Sequence, residues 1–121
     1  MSIVKGEDSP LSKQSLQLAI TIVEYYKWLT ECRKEFVMSK QILRSGTSIG
    51  ANVHEANYAA SRADFVNKLR IALKETAETE YWFKILSETG CFDSQYQPAI
   101  DLLVSVKRLL VASINTASRK Q

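Results

Sequence analysis

The segment Leu43-Arg44-Ser45-Gly46-Thr47-Ser48-Ile49-Gly50-Ala51-Asn52-Val53-His54-Glu55-Ala56 has the glycines and hydroxyls of a loop but the spacing of a helix. Ile42, Gly46, Ile49, Val53, Ala56 and Ala60 recur at steps of four and three, the period of one apolar helical face. One position behind runs a second stripe, Gln41, Ser45, Ser48, Asn52 and Glu55, with the same steps. Gly46 and Gly50 each cost such a helix about 1 kcal/mol relative to Ala. Helices keep glycines of this kind where another backbone comes close. The segment therefore belongs inside a helical assembly, hydrogen-bonded beside its buried seam.

Three further helices surround it. The first opens with Ser9 as N-cap and Pro10 at its first position. Its seam is Leu11, Ser15, Leu18, Ile22, Tyr25, Leu29 and Cys32, with Leu16, Ala19, Val23 and Tyr26 alongside, and it ends in the charged turn 31–35. The second covers roughly Phe36 to Ala60. The third starts at Ser61, where Ser61-Arg62-Ala63-Asp64 approximates a capping box, and stops at Gly90. Phe65, Leu69, Ala72, Thr76, Thr79, Phe83 and Leu86 form its seam. The fourth begins near Asp93 or Ser94, with Pro98 in its first turn.

Helices of about 22–28 residues, each roughly 35–40 Å long, joined by short turns, must run antiparallel in sequence. The expected fold is all-α, an up-down-up-down four-helix bundle forming a single domain over residues 1–121. Residues 1–8 and 118–121 are expected to be loose ends. There is no internal repeat or low-complexity tract.

The 16 Lys and Arg residues against 13 Asp and Glu give +3. This is mildly basic, without the dense charge of a nucleic-acid-binding tail. In a ring of identical subunits every patch is repeated, and a modest surplus becomes a strong field. Cys32 and Cys91 stand alone, which suggests a reducing compartment. No signal-peptide h-region and no run of about 18 apolar residues is present. These features point to the cytoplasm and away from the membrane.

The last helix carries more apolar surface than one core can take. Leu103, Val106 and Leu110 with Leu102 and Leu109 make a broad inward face, and Ile100, Val104, Val111 and Ile114 a further seam turned away from it. Tyr81, Trp82 and Ile85 add a second row on the third helix. Rows of this size left wet exceed the patch a monomer tolerates. They predict a homo-oligomer joined through the third and fourth helices, the other reading being a wide core stripe in a monomer.

The segment from Ile42 to Ala56 resembles the signature of the four-helix bundle proteins encoded in intervening sequences of bacterial 23S ribosomal RNA genes. Residues Ile71-Ala72-Leu73-Lys74-Glu75-Thr76-Ala77-Glu78-Thr79-Glu80-Tyr81-Trp82 are similar to that family's third-helix segment. Many members have a Gly-Ser pair where this chain has Lys74-Glu75. The resemblance runs from about Leu16 to Leu110. It implies a ring of five subunits and a similarity to the accessory variability proteins of diversity-generating retroelements, basic pentamers that bind nucleic acid and a reverse transcriptase.

Arg44, Ser48, Asn52, Glu55 and Glu78 carry the polar part of the motif. One reading is a lattice between helices, pairing Arg44 or Arg70 with Glu55 or Glu78, since buried charges need partners. The other is a row facing a subunit or ligand. Glu55, Glu75, Glu78 and Glu80 lack the Glu-x-x-His pairs of bundle metal sites, and His54 does not follow a glutamate by three. They read as solvated or ion-paired, with no metal or cofactor implied. Neither cysteine has the His partner that nucleophilic catalysis needs beyond the lone His54, so no enzyme is expected.

Basic residues are the remaining functional lead: Arg33 and Lys34 in the first turn, then Lys40, Arg62 and Lys68, Lys107 and Arg108, and Arg119 and Lys120. Antiparallel topology brings Arg62 and Lys68 to the end that holds Arg119 and Lys120. A cluster there can bind phosphates with strong salt dependence. The aromatics fall mostly on seams, leaving no basic-and-aromatic module for single strands. The sequence thus favours an oligomer that binds RNA or DNA through repeated basic patches. The alternative is an oligomeric scaffold that recruits a protein, its basic surplus serving solubility.

Overall fold

The computed structural model describes residues 4–119, with side chains from residue 6 onward. A short helix α1, Val4–Asp8, precedes four long ones: α2 (Pro10–Glu31), α3 (Met38–Ala56), α4 (Arg62–Glu88) and α5 (Gln97–Arg119). One turn of 3₁₀ helix, Ser94–Tyr96, leads into α5. Each long helix touches the next, and α2 also touches α5. The result is a four-cornered, all-α bundle of antiparallel neighbours.

The caps follow the chain's chemistry. The Ser9 hydroxyl accepts from Ser12 N and precedes Pro10. Ser61 likewise accepts from Asp64 N, and the Asp64 carboxylate accepts in return from Ala60 N, 3.1 Å away. Gly90, at φ +80°, supplies the left-handed residue that lets the chain leave α4.

The core follows the steps of three and four. Leu11, Ser15, Leu18, Ile22, Tyr25 and Leu29 are the buried residues of α2, and Ala99, Leu103, Val106, Leu110 and Ile114 those of α5. On α3 the glycines cost about 2 kcal/mol together, while burying Ile42, Ile49 and Val53 returns about 1.5–3 kcal/mol each. Burial wins. A Cβ on Gly50 would stand 3.0 Å from the Ser15 carbonyl oxygen, so backbone does approach backbone there. At Gly46 the crowding group is a side chain, with Ile22 methyl and methylene carbons at 2.9 Å. Between α3 and α4, the buried Thr79 hydroxyl donates to Ser45 Oγ at 2.8 Å.

The structure corrects the sequence reading at several places. The second long helix is shorter than expected, 19 residues from Met38 to Ala56. The Glu35 carboxylate accepts from the backbone N–H groups of Val37, Met38 and Ser39, holding the first turn back from Phe36. At the far end the N–H groups of Asn57, Tyr58 and Ala59 turn back to carbonyls three residues behind, so the chain leaves the helix and Ala60 is exposed. Cys32 also lies outside the core, at the exposed end of α2. Val66 rather than Phe65 occupies the first buried position of α4.

The expected loose ends are partly ordered: Val4–Asp8 is helical, and Ser118 and Arg119 complete α5. The Gly6 carbonyl accepts from the hydroxyls of Ser9 and Ser12, and Tyr58 donates to Glu7 at 2.9 Å. These bonds tie α1 to the start of α2 and to the turn that follows α3.

Candidate nucleic-acid interface

The polar stripe of the motif faces α4. Arg44 sits between Glu75, 3.5 Å away, and Glu78, to which it is also bonded. The Trp82 indole N–H donates to the same Glu78 carboxylate at 3.0 Å. These two donors, the guanidinium first, hold the Glu78 carboxyl below the usual range, and Glu78 in turn raises Arg44. Glu75 gives Arg44 a second acceptor. Glu55 pairs with Lys68 at 3.0 Å rather than with an arginine. Asn52 turns its amide to Ser48 O on its own helix, 2.9 Å away. The lattice therefore joins α3 to α4 through Arg44 and Glu55, while Ser48 and Asn52 serve α3 itself.

The basic candidates divide between the two ends. Arg33 and Lys34 occupy the turn between α2 and α3, with Lys34 in the left-handed region at φ +54°, and Lys40 is exposed at the start of α3. The opposite end gathers more. Arg62, at the first position of α4, lines a groove with Phe65 of α4 and with Ala112, Ser113, Thr116 and Ala117 of α5. Ala112 and Thr116 also border a second groove, which holds Lys107, Arg108 and Arg119. The two grooves lie side by side along the last turns of α5. Neither is lined by a carboxylate.

Among the described residues the ion pairs are those of Arg44, Lys68 and Lys107, the last with Glu80 at 3.2 Å. Lys68 is thus engaged with Glu55, whereas Arg62, Arg108 and Arg119 form no such pair. Lys120 lies outside the described residues. An exposed arginine at the first position of a helix also opposes the helix dipole, so stability of α4 does not account for Arg62.

The apolar rows separate. Tyr81, Val104 and Val111 are exposed, while Trp82, Ile85 and Ile100 are half-buried. Ile114 is no surface residue: at 8% exposure it continues the core seam of Leu103, Val106 and Leu110, four residues beyond Leu110. The sequence reading missed the most open aliphatic row of α2, Leu16 and Ile20, which are 60% and 52% exposed. Their spacing of four marks one face, but the neighbouring Ala19 and Val23 share that spacing. Leu16 and Ala19 line a groove against Thr47, Gly50, Ala51 and His54 of α3.

A family model described as 23S rRNA-intervening sequence protein matches residues 7–112. A crystal structure of a protein of unknown function, from the S23 ribosomal protein family of Bacteroides thetaiotaomicron VPI-5482, is 51% identical to this chain. The match covers 90% of this chain and 98% of that one, with a TM-score of 0.85. No curated protein matches.

Proposed function

The chain belongs to the 23S rRNA-intervening sequence protein family, and on that premise we propose that it is a non-enzymatic, cytoplasmic oligomer that holds RNA or DNA by the basic end of each subunit. One observation carries this reading. Arg62 and the set Lys107, Arg108 and Arg119 line adjoining grooves that share Ala112 and Thr116 and contain no carboxylate. A polyanion laid along this end meets Arg62, Arg108 and Arg119 without a paired carboxylate, while Lys107 is already held by Glu80. Arg108 and Arg119 are eleven residues apart, roughly 16 Å along the helix, enough for several phosphates of a stacked strand.

Oligomerisation supplies the rest. A net charge of +3 is small for one subunit, but a closed assembly repeats the end and adds its fields. The exposed Leu16 and Ile20 row on α2, away from these grooves, gives an apolar face for copies to cover. The described helices include none long and apolar enough to cross a membrane.

Light scattering at micromolar protein, followed by a salt titration of binding to structured RNA, single-stranded RNA and duplex DNA, tests the reading. The expected result is a particle of several subunits whose affinity falls steeply as salt rises. Absence of binding to every probe at about 50 mM salt rules the reading out. A protein partner captured equally well after nuclease treatment, without nucleic-acid binding, establishes the scaffold alternative in its place.

A further inference from the structure

We infer that the basic end takes single-stranded rather than duplex nucleic acid, seating one unstacked base in the groove between α4 and α5. The inference rests on the reading of that end as a nucleic-acid surface and adds the kind of strand it selects. Duplexes and single strands both offer phosphates, so Arg108 and Arg119 alone do not choose between them. The neighbouring groove does.

Its walls are the Phe65 ring and the methyl groups of Ala112 and Ala117, its polar groups are the hydroxyls of Ser113 and Thr116, and Arg62 stands with them. The groove is shallow and open to solvent, with about 480 Å³ of space over its floor, room for a base to lie against it. An aromatic wall, a guanidinium and two hydroxyls suit a flat, neutral, hydrogen-bonding group next to a negative charge. In a duplex both faces of each base are already stacked on neighbours, and only a displaced base can enter such a space. The second groove continues from the same Ala112 and Thr116 toward Lys107, Arg108 and Arg119, so a strand with one base in the first groove lays its adjoining phosphates in the second.

Phe65 is what the sequence did not reveal. Its spacing from Leu69 assigns it to the core seam, yet Val66 fills that place and Phe65 is left half-buried. One side of it borders this groove and another a smaller cavity under α1, shared with Leu69 and Leu109.

The test measures binding of one labelled oligonucleotide, free and annealed to its complement, at about 50 mM salt, to the full chain and to Phe65→Leu. Leucine keeps apolar volume against the core and removes the ring. The expected result is tighter binding of the single strand, weakened about fivefold to tenfold in Phe65→Leu, with duplex binding unchanged. A 2-aminopurine base in the strand should be quenched by the native chain and not by the variant. Ala112→Leu, at an exposed position, fills the groove without touching the core and is expected to act alike if Phe65→Leu does not fold. Equal affinity for both strand forms, or unaltered binding by both variants, overturns this inference and leaves the basic end as a salt-dependent phosphate surface. Failure to bind any probe overturns both.

Discussion

At the end of the bundle where α2 passes into α3 and α4 into α5, the Tyr25 ring lies against Trp28, Phe83, Phe92 and Tyr96, with centroids 5.1–6.0 Å apart. Its hydroxyl donates to the Cys91 carbonyl at 2.6 Å, tying α2 to the turn after α4. At the opposite end one groove lies between α4 and α5 and a second runs along the surface of α5, bordered by small residues and basic side chains. One end spends its aromatic side chains on cohesion, and the other keeps Phe65 at a surface. On the proposed function, stability and recognition are separated along the length of one bundle, so substitutions at the two ends should have different signatures.

The largest stability effect belongs to the aromatic end. Tyr25→Ala should cost about 3–5 kcal/mol in urea unfolding, with oligonucleotide affinity retained wherever the variant is folded. A cost below about 1 kcal/mol contradicts the assignment of Tyr25 as the anchor of that end. The same residue gives a pH signature. Burial first, then the nearby Cys91 and Glu35, push the Tyr25 hydroxyl well above its ordinary range. The folded state therefore binds this proton more tightly than the unfolded one. Its contribution is full below about pH 10 and declines as pH rises from there toward the folded value. Tyr25→Phe should remove that alkaline decline, visible as a flatter urea midpoint against pH.

Next comes the middle of the bundle. Gly46→Ala should destabilise by about 1–3 kcal/mol although alanine is the better helix former, because the added methyl meets the buried Ile22 at 2.9 Å. Thermal melting of the variant settles the sign. A more stable variant would show that α2 and α3 can separate slightly without loss.

Smaller still is the exposed pair of Arg44 and Glu78, for which a double-mutant cycle should give less than about 1 kcal/mol. The Glu78 carboxyl is lowered by Arg44, so its contribution is present above the ordinary carboxylate range and lost as pH falls through the folded value. Arg44→Met should weaken that acid dependence, leaving the smaller part due to the Trp82 indole N–H.

Least perturbing to stability are Arg62→Gln, Arg108→Gln and Arg119→Gln, each expected within about 0.5 kcal/mol of the native chain. Each should nevertheless reduce the slope of log affinity against log salt by about 0.7–0.9. Unaltered slopes in all three would place the phosphate contacts elsewhere.

The helical seams were legible because burial on a helix repeats with the helix. Tyr25, Ile49, Leu69 and Leu103 each stand three or four residues from another core position, and all are buried. Ser9, Ser61 and Gly90 marked boundaries because capping is a matter of a few neighbouring residues. What failed depended on how far each helix is rotated toward its neighbours. Leu16 and Ala19 have equal claims by spacing, and only the docking of α3 decides that Leu16 stays wet. Phe65 and Val66 are adjacent apolar residues near the start of α4, and the spacing alone does not decide that Val66 is the one buried. The pairing of Lys68 with Glu55 and of Lys107 with Glu80 joins different helices, which charge counting does not resolve. Glu35 escaped notice as a cap because it reaches forward from a turn.

The ties from Gly6 to Ser12 and from Glu7 to Tyr58 hold α1 at the end of the bundle where α5 also finishes. A peptide appended before α1 or after α5 is therefore attached at the same end of the bundle as the grooves. A polyhistidine or other charged purification handle at either junction would add or mask cations at the surface being assayed. An affinity handle is better carried in the turn near Lys34, at the remote pole of the bundle.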